Sequence, residues 1–300
     1  MRLLLLAFLL TVASPAAGQA YDGPIIDVHL HVGPAAPGAP NPATGEPTSA
    51  GTDADRERLT LERMERHRIV LGLVSGPDAY MASMRRAGGD RIRAGAFMDD
   101  GRTRLPPPDV LREAFARGEL QVMGEIAAQY HGLDPSDEWF EPYLALAEEF
   151  DVPVGIHTGL GPPGTPYGCC PGFTVDLGNP ERLEPLLKRH PKLRVWLMHA
   201  GWPYLQETKA LMYVYPQLYA DVSVINWIIP RAEFHGYLEA LVTAGLGDRL
   251  MFGSDQMVWP EAITLAIEGV DSAPFLDAAQ KRAIFHDNAA RFLRLGGAAD

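Results

Sequence analysis

The segment Ile25-Ile26-Asp27-Val28-His29-Leu30-His31 places a polar side chain at every second position of an apolar run. In a strand, Asp27, His29 and His31 share one face, with the two imidazoles about 6–7 Å apart along the backbone. Side chains converging from that spacing can share one ion. Further apolar runs carry or end in groups of the same kind: Gly124-Glu125, Ile156-His157, Met198-His199, and Phe252-Gly253-Ser254-Asp255. One histidine closing a strand is more often a hydrogen-bonded structural residue than a ligand. Five runs that each deliver His, Glu or Asp to one rim point to a divalent metal. Imidazole and carboxylate donors suit zinc first, with Mn, Fe and Co as rivals.

The elements that must position these groups alternate along the chain. Predicted strands cover Ile25–Val32, Ile69–Ser75, Arg93–Met98, Gln121–Ile126, Val152–His157, Arg194–His199, Leu218–Val224 and Leu250–Ser254. Between them lie predicted helices at Asp55–His67, Pro108–Arg117, Ser136–Phe150, Pro180–Arg189, Tyr204–Tyr215 and Arg231–Ala244, with a closing helix over Asp277–Leu295. The strands are short and nearly continuously apolar, as expected where both faces are covered. Eight strands alternating with helices predict an α/β protein with a single (β/α)8 TIM-type barrel over residues 22–296. A doubly wound open sheet lacks its signature, because no G-x-G-x-x-G follows the first strand. The long loops Gly33–Asp53 and Gly159–Asp176 leave carboxyl ends of strands, where barrel sites form, and read as lids or pocket walls.

In their order along the chain, the D-x-H-x-H segment, the histidines at 157 and 199 and the F-G-S-D segment resemble the amidohydrolase superfamily. The similarity is to its amidohydrolase-related branch, which includes aminocarboxymuconate-semialdehyde decarboxylase-like enzymes. The ending Asp287-Asn288-Ala289-Ala290-Arg291-Phe292-Leu293 resembles that branch's closing helix, and the likeness runs from about residue 24 to 295. The resemblance implies that His29, His31, His157 and Asp255 hold the principal metal and that Asp255 handles protons. It makes His199 either a ligand of a second metal or an acid/base that polarises the substrate. Many superfamily members bridge two metals through a carbamylated lysine on strand four. Glu125 stands at that level here, as in TatD-type hydrolases, so one ion is implied and a second can be held through Glu125 and His199. The alternative for Glu125 is an ion pair with an arginine such as Arg231.

Candidate substrate contacts are the rim residues Tyr130, Trp202, Trp227 and Trp259, which suit a flat or apolar group. Arg231 can bind a substrate carboxylate bidentately or simply form an ion pair. His131 also lies near the rim, whereas His67, His190, His235 and His286 read as structural.

The composition bounds the partners. With a formal charge of −12, 47% hydrophobic and 21% charged residues over 300 positions, the chain reads as an ordinary globular protein. An acidic balance without a basic tract excludes nucleic-acid binding by counterion release, leaving a small-molecule substrate and a homo-oligomer as the expected partners. Met1-Arg2, the apolar run Leu3–Ala13 and the small residues through Ala20 follow the secretory leader pattern. Cleavage after Gly18 is expected, giving a periplasmic or secreted enzyme with no membrane insertion. An uncleaved anchor is disfavoured because the run falls short of the ~20 residues that span a bilayer. Cys169 and Cys170 are adjacent and lack zinc-finger spacing. They read as part of a loop turn, with a labile vicinal disulfide or a substrate-lining role as the alternatives.

Three functions fit: a hydrolase of an amide, lactone or ester using metal-activated water, a decarboxylase of a small aromatic or unsaturated acid, and a barrel that binds without chemistry. The intact His/His/His/His/Asp set argues against the last.

Overall fold

The apolar runs form eight parallel strands: β1 Ile25–His31, β2 Ile69–Ser75, β3 Ile92–Met98, β4 Val122–Ile126, β5 Val154–His157, β6 Val195–Met198, β7 Leu218–Asp221 and β8 Leu250–Met251. Each pairs with its sequence neighbour, giving the order β1 to β8. This computed structural model describes residues 20–98 and 104–296, so the expected leader (1–18) lies outside the described residues. The barrel closes through backbone bonds rather than a regular ladder. Val28 N–H donates to Phe252 O at 3.0 Å, and Asp255 N–H donates to His29 O at 2.7 Å.

The helices are α1 Asp53–Arg66, α2 Asp78–Gly88, α3 Pro108–Ala116, α4 Glu141–Glu149, α5 Glu184–Arg189, α6 Leu205–Val214, α7 Ile225–Ile228, α8 Arg231–Leu241, α9 Ala262–Asp271, α10 Ala278–Arg282 and α11 Asn288–Phe292. Local chemistry starts them where the sequence has capping residues. Thr52 accepts the Asp55 N–H at the head of α1, and Asp277 with Gln280 forms a capping box at α10. The main core fills the layer between strands and helices, with Met64, Leu111, Leu144, Leu186 and Phe234 fully buried. A second cluster gathers Ile26, Val28, Trp196 and Met198 against Phe292 and Leu293 at the chain's end. Among the described residues, no helix is long and apolar enough to cross a membrane.

Two elements differ from the sequence-based expectation. The eighth strand, expected over Leu250–Ser254, keeps ladder geometry for two residues only. Phe252 N–H instead donates to Ile284 O, and the chain turns at Asp255, whose φ is +46°. The closing helix is interrupted by a π turn at Ala283–Asp287. There the Ile284 carbonyl is drawn to Phe252, while the Asn288 amide donates to Gly247 O and Leu250 O at 2.9 and 2.7 Å. Asn288 thus ties the end of the chain to β8. Asn288→Ala should strand the buried Leu250 carbonyl and the half-buried Gly247 carbonyl and cost about 2 kcal/mol. Chemical denaturation should show a lower midpoint at unchanged m-value.

The loops after β1 and β8 brace one another above the strands. The Arg56 guanidinium donates to the carbonyls of Pro34, His31 and Met257. Gln256 holds the His31 backbone from both sides, accepting its N–H at 3.0 Å and donating to its carbonyl at 2.7 Å. The loop after β5 is anchored by Gln129, which donates to the carbonyls of Gly159 and Thr174. Gly178 is required there, since a Cβ would stand 1.9 Å from Gly159 O. In the same loop Cys169 and Cys170 are joined in a vicinal disulfide, so the pair is more than a turn.

Candidate metal centre

Strand ends bring His29, His31, Glu125, His157, His199 and Asp255 together at the carboxyl-end rim, all buried except half-buried His31. Three of the eight strands reach this rim through backbone that ordinary side chains rarely adopt. Positive φ values occur at His199 (+61°), Ala200 (+47°), Val224 (+54°), Asp255 (+46°) and Met257 (+46°). Such conformations concentrate at functional sites, where the surrounding fold enforces them.

The donor atoms fall into two sets around one carboxylate. Glu125 Oε2 lies 3.5 Å from His29 Nε2 and 3.3 Å from His31 Nε2, and those nitrogens are 3.1 Å apart. Asp255 Oδ1 joins this set at 3.1 Å from His31 Nε2 and 3.9 Å from His29 Nε2. The other oxygen, Glu125 Oε1, lies 2.7 Å from His157 Nδ1 and 3.5 Å from His199 Nε2, with those nitrogens 3.1 Å apart. Tetrahedral donors about 2.0–2.1 Å from zinc are about 3.3–3.4 Å from one another. Most of these separations lie within a few tenths of an ångström of that spacing, the Glu125–His157 pair being shorter at 2.7 Å and the Asp255–His29 pair longer at 3.9 Å. The Asp255 Oδ1 atom is buried without a hydrogen-bond donor, as an oxygen reserved for a cation would be. His29, His31 and Glu125 form one set of three donors and Glu125, His157 and His199 another, with Asp255 beside His29 and His31.

Behind the donors stands a second layer. Asp27 Oδ1 accepts from the backbone N–H of His29 at 3.1 Å and of Ser254 at 3.0 Å, stitching β1 to the end of β8. Its complete burial pushes its carboxyl up to about 7 against those hydrogen bonds. Asp221 and Ser223 stand beneath His29 and His199. Sequence reasoning passed over both, although Asp221 and Ser223 alternate with Ala220 and Val222 as polar residues do in β1.

Electrostatics balance in the cluster. Burial opposes charge on His29, but Asp255, Asp221 and Glu125 outweigh it and hold its pKa well above the ordinary imidazole value. His31 is raised likewise, burial being overcome by Asp255 and Glu125. Burial works against ionised Glu125, yet His157, His199, His29 and His31 hold its carboxyl well below the usual range. His157, by contrast, is lowered by burial despite Glu125. A metal must therefore displace protons from His29 and His31. Apparent metal affinity is expected to be weaker near ~pH 6 than near ~pH 8, which competition with a chromophoric chelator will check.

The structure sorts the candidate substrate residues. Tyr130 sits at the cluster, its ring 5.0 Å from the His157 ring and 5.2 Å from that of Phe173. Phe97, which sequence reasoning missed, meets His31 edge-on at 6.0 Å. Trp227 is buried and donates to Ser254 O at 2.8 Å, and Trp259 donates to Ala39 O, so both brace the rim. Trp202 reaches out to Glu233. Arg231 donates to Asn226 O at 2.9 Å. The structure thus corrects the Arg231–Glu125 pairing alternative, since four imidazoles surround that carboxylate. Four of the other histidines have partners outside the cluster: His190 between Glu141 and Glu148, His67 by Thr264, His235 by Gly269 O and His286 by Asp287.

A parallel eight-stranded barrel carrying a His/Glu/Asp cluster at its carboxyl-end rim defines a (β/α)8 protein with a candidate divalent-metal site. Residues 26–295 match the family model described as amidohydrolase, and the chain belongs to that family. The resemblance drawn from the D-x-H-x-H and F-G-S-D segments is borne out.

Solved structures share the fold. A probable 2-pyrone-4,6-dicarboxylic acid hydrolase from Acinetobacter baumannii, with citric acid bound, matches at TM-score 0.62 and 17% identity. That match covers 90% of this chain and 99% of the other. A 2,6-dihydroxybenzoate decarboxylase from Rhizobium matches at TM-score 0.60 and 16% identity, covering 91% and 99%. Among curated proteins, Protein fluG of Emericella nidulans is 27% identical over 129 residues. That stretch is 43% of this chain but 13% of the fungal protein's length.

Proposed function

We propose that the protein is a metal-dependent hydrolase that adds water to an amide, lactone or ester bond of a small molecule. The observation that carries this reading is Glu125, which turns one oxygen toward His29 and His31 and the other toward His157 and His199. That arrangement suits one ion among His29, His31 and Glu125, with Asp255 beside them, and a second among Glu125, His157 and His199, with zinc favoured by donor type. When bound, such metal lowers the pKa of water toward neutrality and polarises a substrate oxygen.

The chain's own residues supply the rest. Burial opposes ionising Asp255, but His29, His31 and His199 outweigh it and hold the carboxylate ionised, ready to accept a proton. With Oδ1 directed at the donor set, Oδ2 can take that proton and return it to the leaving group. Phe97, Tyr130 and Phe173 give the substrate an aromatic wall. Arg56 and Arg231 are spent on backbone carbonyls, so neither reaches out for a substrate carboxylate.

A second reading, decarboxylation of a small aromatic or unsaturated acid, is favoured by the same wall, which suits a flat conjugated ring. Assay with lactones and p-nitrophenyl esters beside a panel of aromatic acids separates the two. Ester or lactone turnover without CO2 is the expected result, and CO2 release without ester turnover would overturn it in favour of the lyase.

A further inference from the structure

We propose that Ser223, held by Asp221, is a positioning residue that fixes the Nδ1–H form of both His29 and His199 and so aims both Nε2 atoms at the donor cluster. This rests on the metal-centre reading above and extends it to residues behind the ligands. Ser223 and Asp221 are fully buried at the carboxyl end of β7. The Ser223 hydroxyl has one hydrogen, and three partners crowd it. Asp221 Oδ1 lies at 2.5 Å, His29 Nδ1 at 2.8 Å and His199 Nδ1 at 3.0 Å.

A carboxylate only accepts, so the hydroxyl hydrogen goes to Asp221. The serine oxygen then has two lone pairs for the two imidazoles, each of which must donate from Nδ1. Asp221 Oδ1 is fixed in this role, because it also accepts the backbone N–H groups of Ser223 at 2.9 Å and His199 at 3.1 Å. Its other oxygen accepts Trp196 Nε1–H at 3.0 Å.

Each imidazole has a second neighbour that leads to the same assignment. His199 Nδ1 lies 3.3 Å from the Ser223 carbonyl, and His29 Nδ1 lies 3.4 Å from Asp221 Oδ2. Both oxygens are acceptors only. With Nδ1–H fixed, the bare Nε2 of His29 joins His31, while that of His199 joins Glu125 Oε1 and His157 Nδ1. His199 is thereby assigned to the set with Glu125 and His157. Its Nδ1, 4.0 Å from Asp255 Oδ2, is not free to pass protons to that carboxylate. One serine between two ligands of different sets couples their orientations. Supporting hydrogen bonds of this kind typically change metal affinity by 10–100-fold.

The test uses protein with 15N-labelled histidine rings. In the zinc-loaded protein, long-range 1H–15N spectra should show protons on Nδ1 of both His29 and His199. The Ser223→Ala variant should lose protection of those protons against exchange and bind zinc about 10-fold or more weakly in chelator competition. Ser223→Thr, which keeps the hydroxyl, should restore both. Zinc affinity within twofold of the parent in Ser223→Ala, with the Nδ1 protons still protected, would overturn the proposal. If the alanine variant does not fold, the parent spectra decide, and a proton on Nε2 of either ring refutes it. If the parent takes up no zinc, the metal reading fails on its own. The ring tautomers of the metal-free parent then test the role of Ser223 directly.

Discussion

Replacing Asp255 by asparagine is expected to lower kcat by roughly 10³-fold while leaving the fold in place. The backbone of residue 255 carries the structural load, because its N–H closes the barrel onto His29 O and its φ is +46°. Asparagine tolerates that left-handed conformation better than most residues. The amide also keeps the size of the side chain, so what disappears is the negative charge, which both takes a proton and faces His29 and His31 in the donor cluster. Despite burial, His29, His31 and His199 keep that oxygen ionised in the metal-free parent. Steady-state kinetics beside a melting curve and a metal assay will separate proton transfer from folding and from metal loss. Turnover within tenfold of the parent at unchanged Tm would remove Asp255 from the proton path.

The second large effect concerns Glu125→Gln. Glutamine keeps the shape but loses the charge that faces four imidazoles. Metal held by the His157/His199 set should be lost, and activity should fall by more than the roughly 10²-fold that loss of a supporting residue around a metal costs. In the metal-free protein the same change leaves His29 and His31 without one of their counter-charges. Breaking a buried pair of this kind costs about 3–5 kcal/mol.

The pH window of that loss follows from the two shifts. The depressed pKa of Glu125 gives stability that is present above its unfolded value, ~4.3, and fades as pH falls through the folded value. The raised pKa values of His29 and His31 give stability that is complete below the unfolded imidazole value, ~6.5, and fades as pH rises through the folded values. Destabilisation of metal-free Glu125→Gln should therefore be largest between these limits and shrink on either side. Denaturation midpoints across pH check this, and a uniform loss at all pH values would mean that Glu125 acts through shape alone.

Much of the architecture was legible because a barrel strand is a short apolar run and every parallel strand ends at the same rim. The alternation in β1 predicted that His29 and His31 act together, and the ends of the other runs pointed to Glu125, His157, His199 and Asp255. The same alternation was present at Asp221 and Ser223, but neither is a usual metal ligand, so their place beneath two histidines stayed hidden. The rim aromatics were harder. Tyr130 does face the cluster, yet Trp202 turns to Glu233 on α8 and Trp259 to the Ala39 carbonyl, partners whose positions depend on long-range contacts. Phe97 carried no signal beyond being an aromatic in a strand. Arg231 illustrates the same limit, since its spacing cannot reveal that Asn226 O stands within reach. The break in the closing helix depends on Phe252 meeting Ile284, residues far apart in sequence.

The central claim is that these six side chains are a metal centre with Glu125 shared between two donor sets. Elemental analysis of the protein, purified without chelator and then dialysed against zinc, tests it most directly. The account predicts about two divalent ions per chain, falling to about one in Glu125→Gln, with both activity and Tm lost on chelation and regained on readdition. Fewer than ~0.2 ions per chain after that dialysis, with Tm indifferent to chelator, would contradict it.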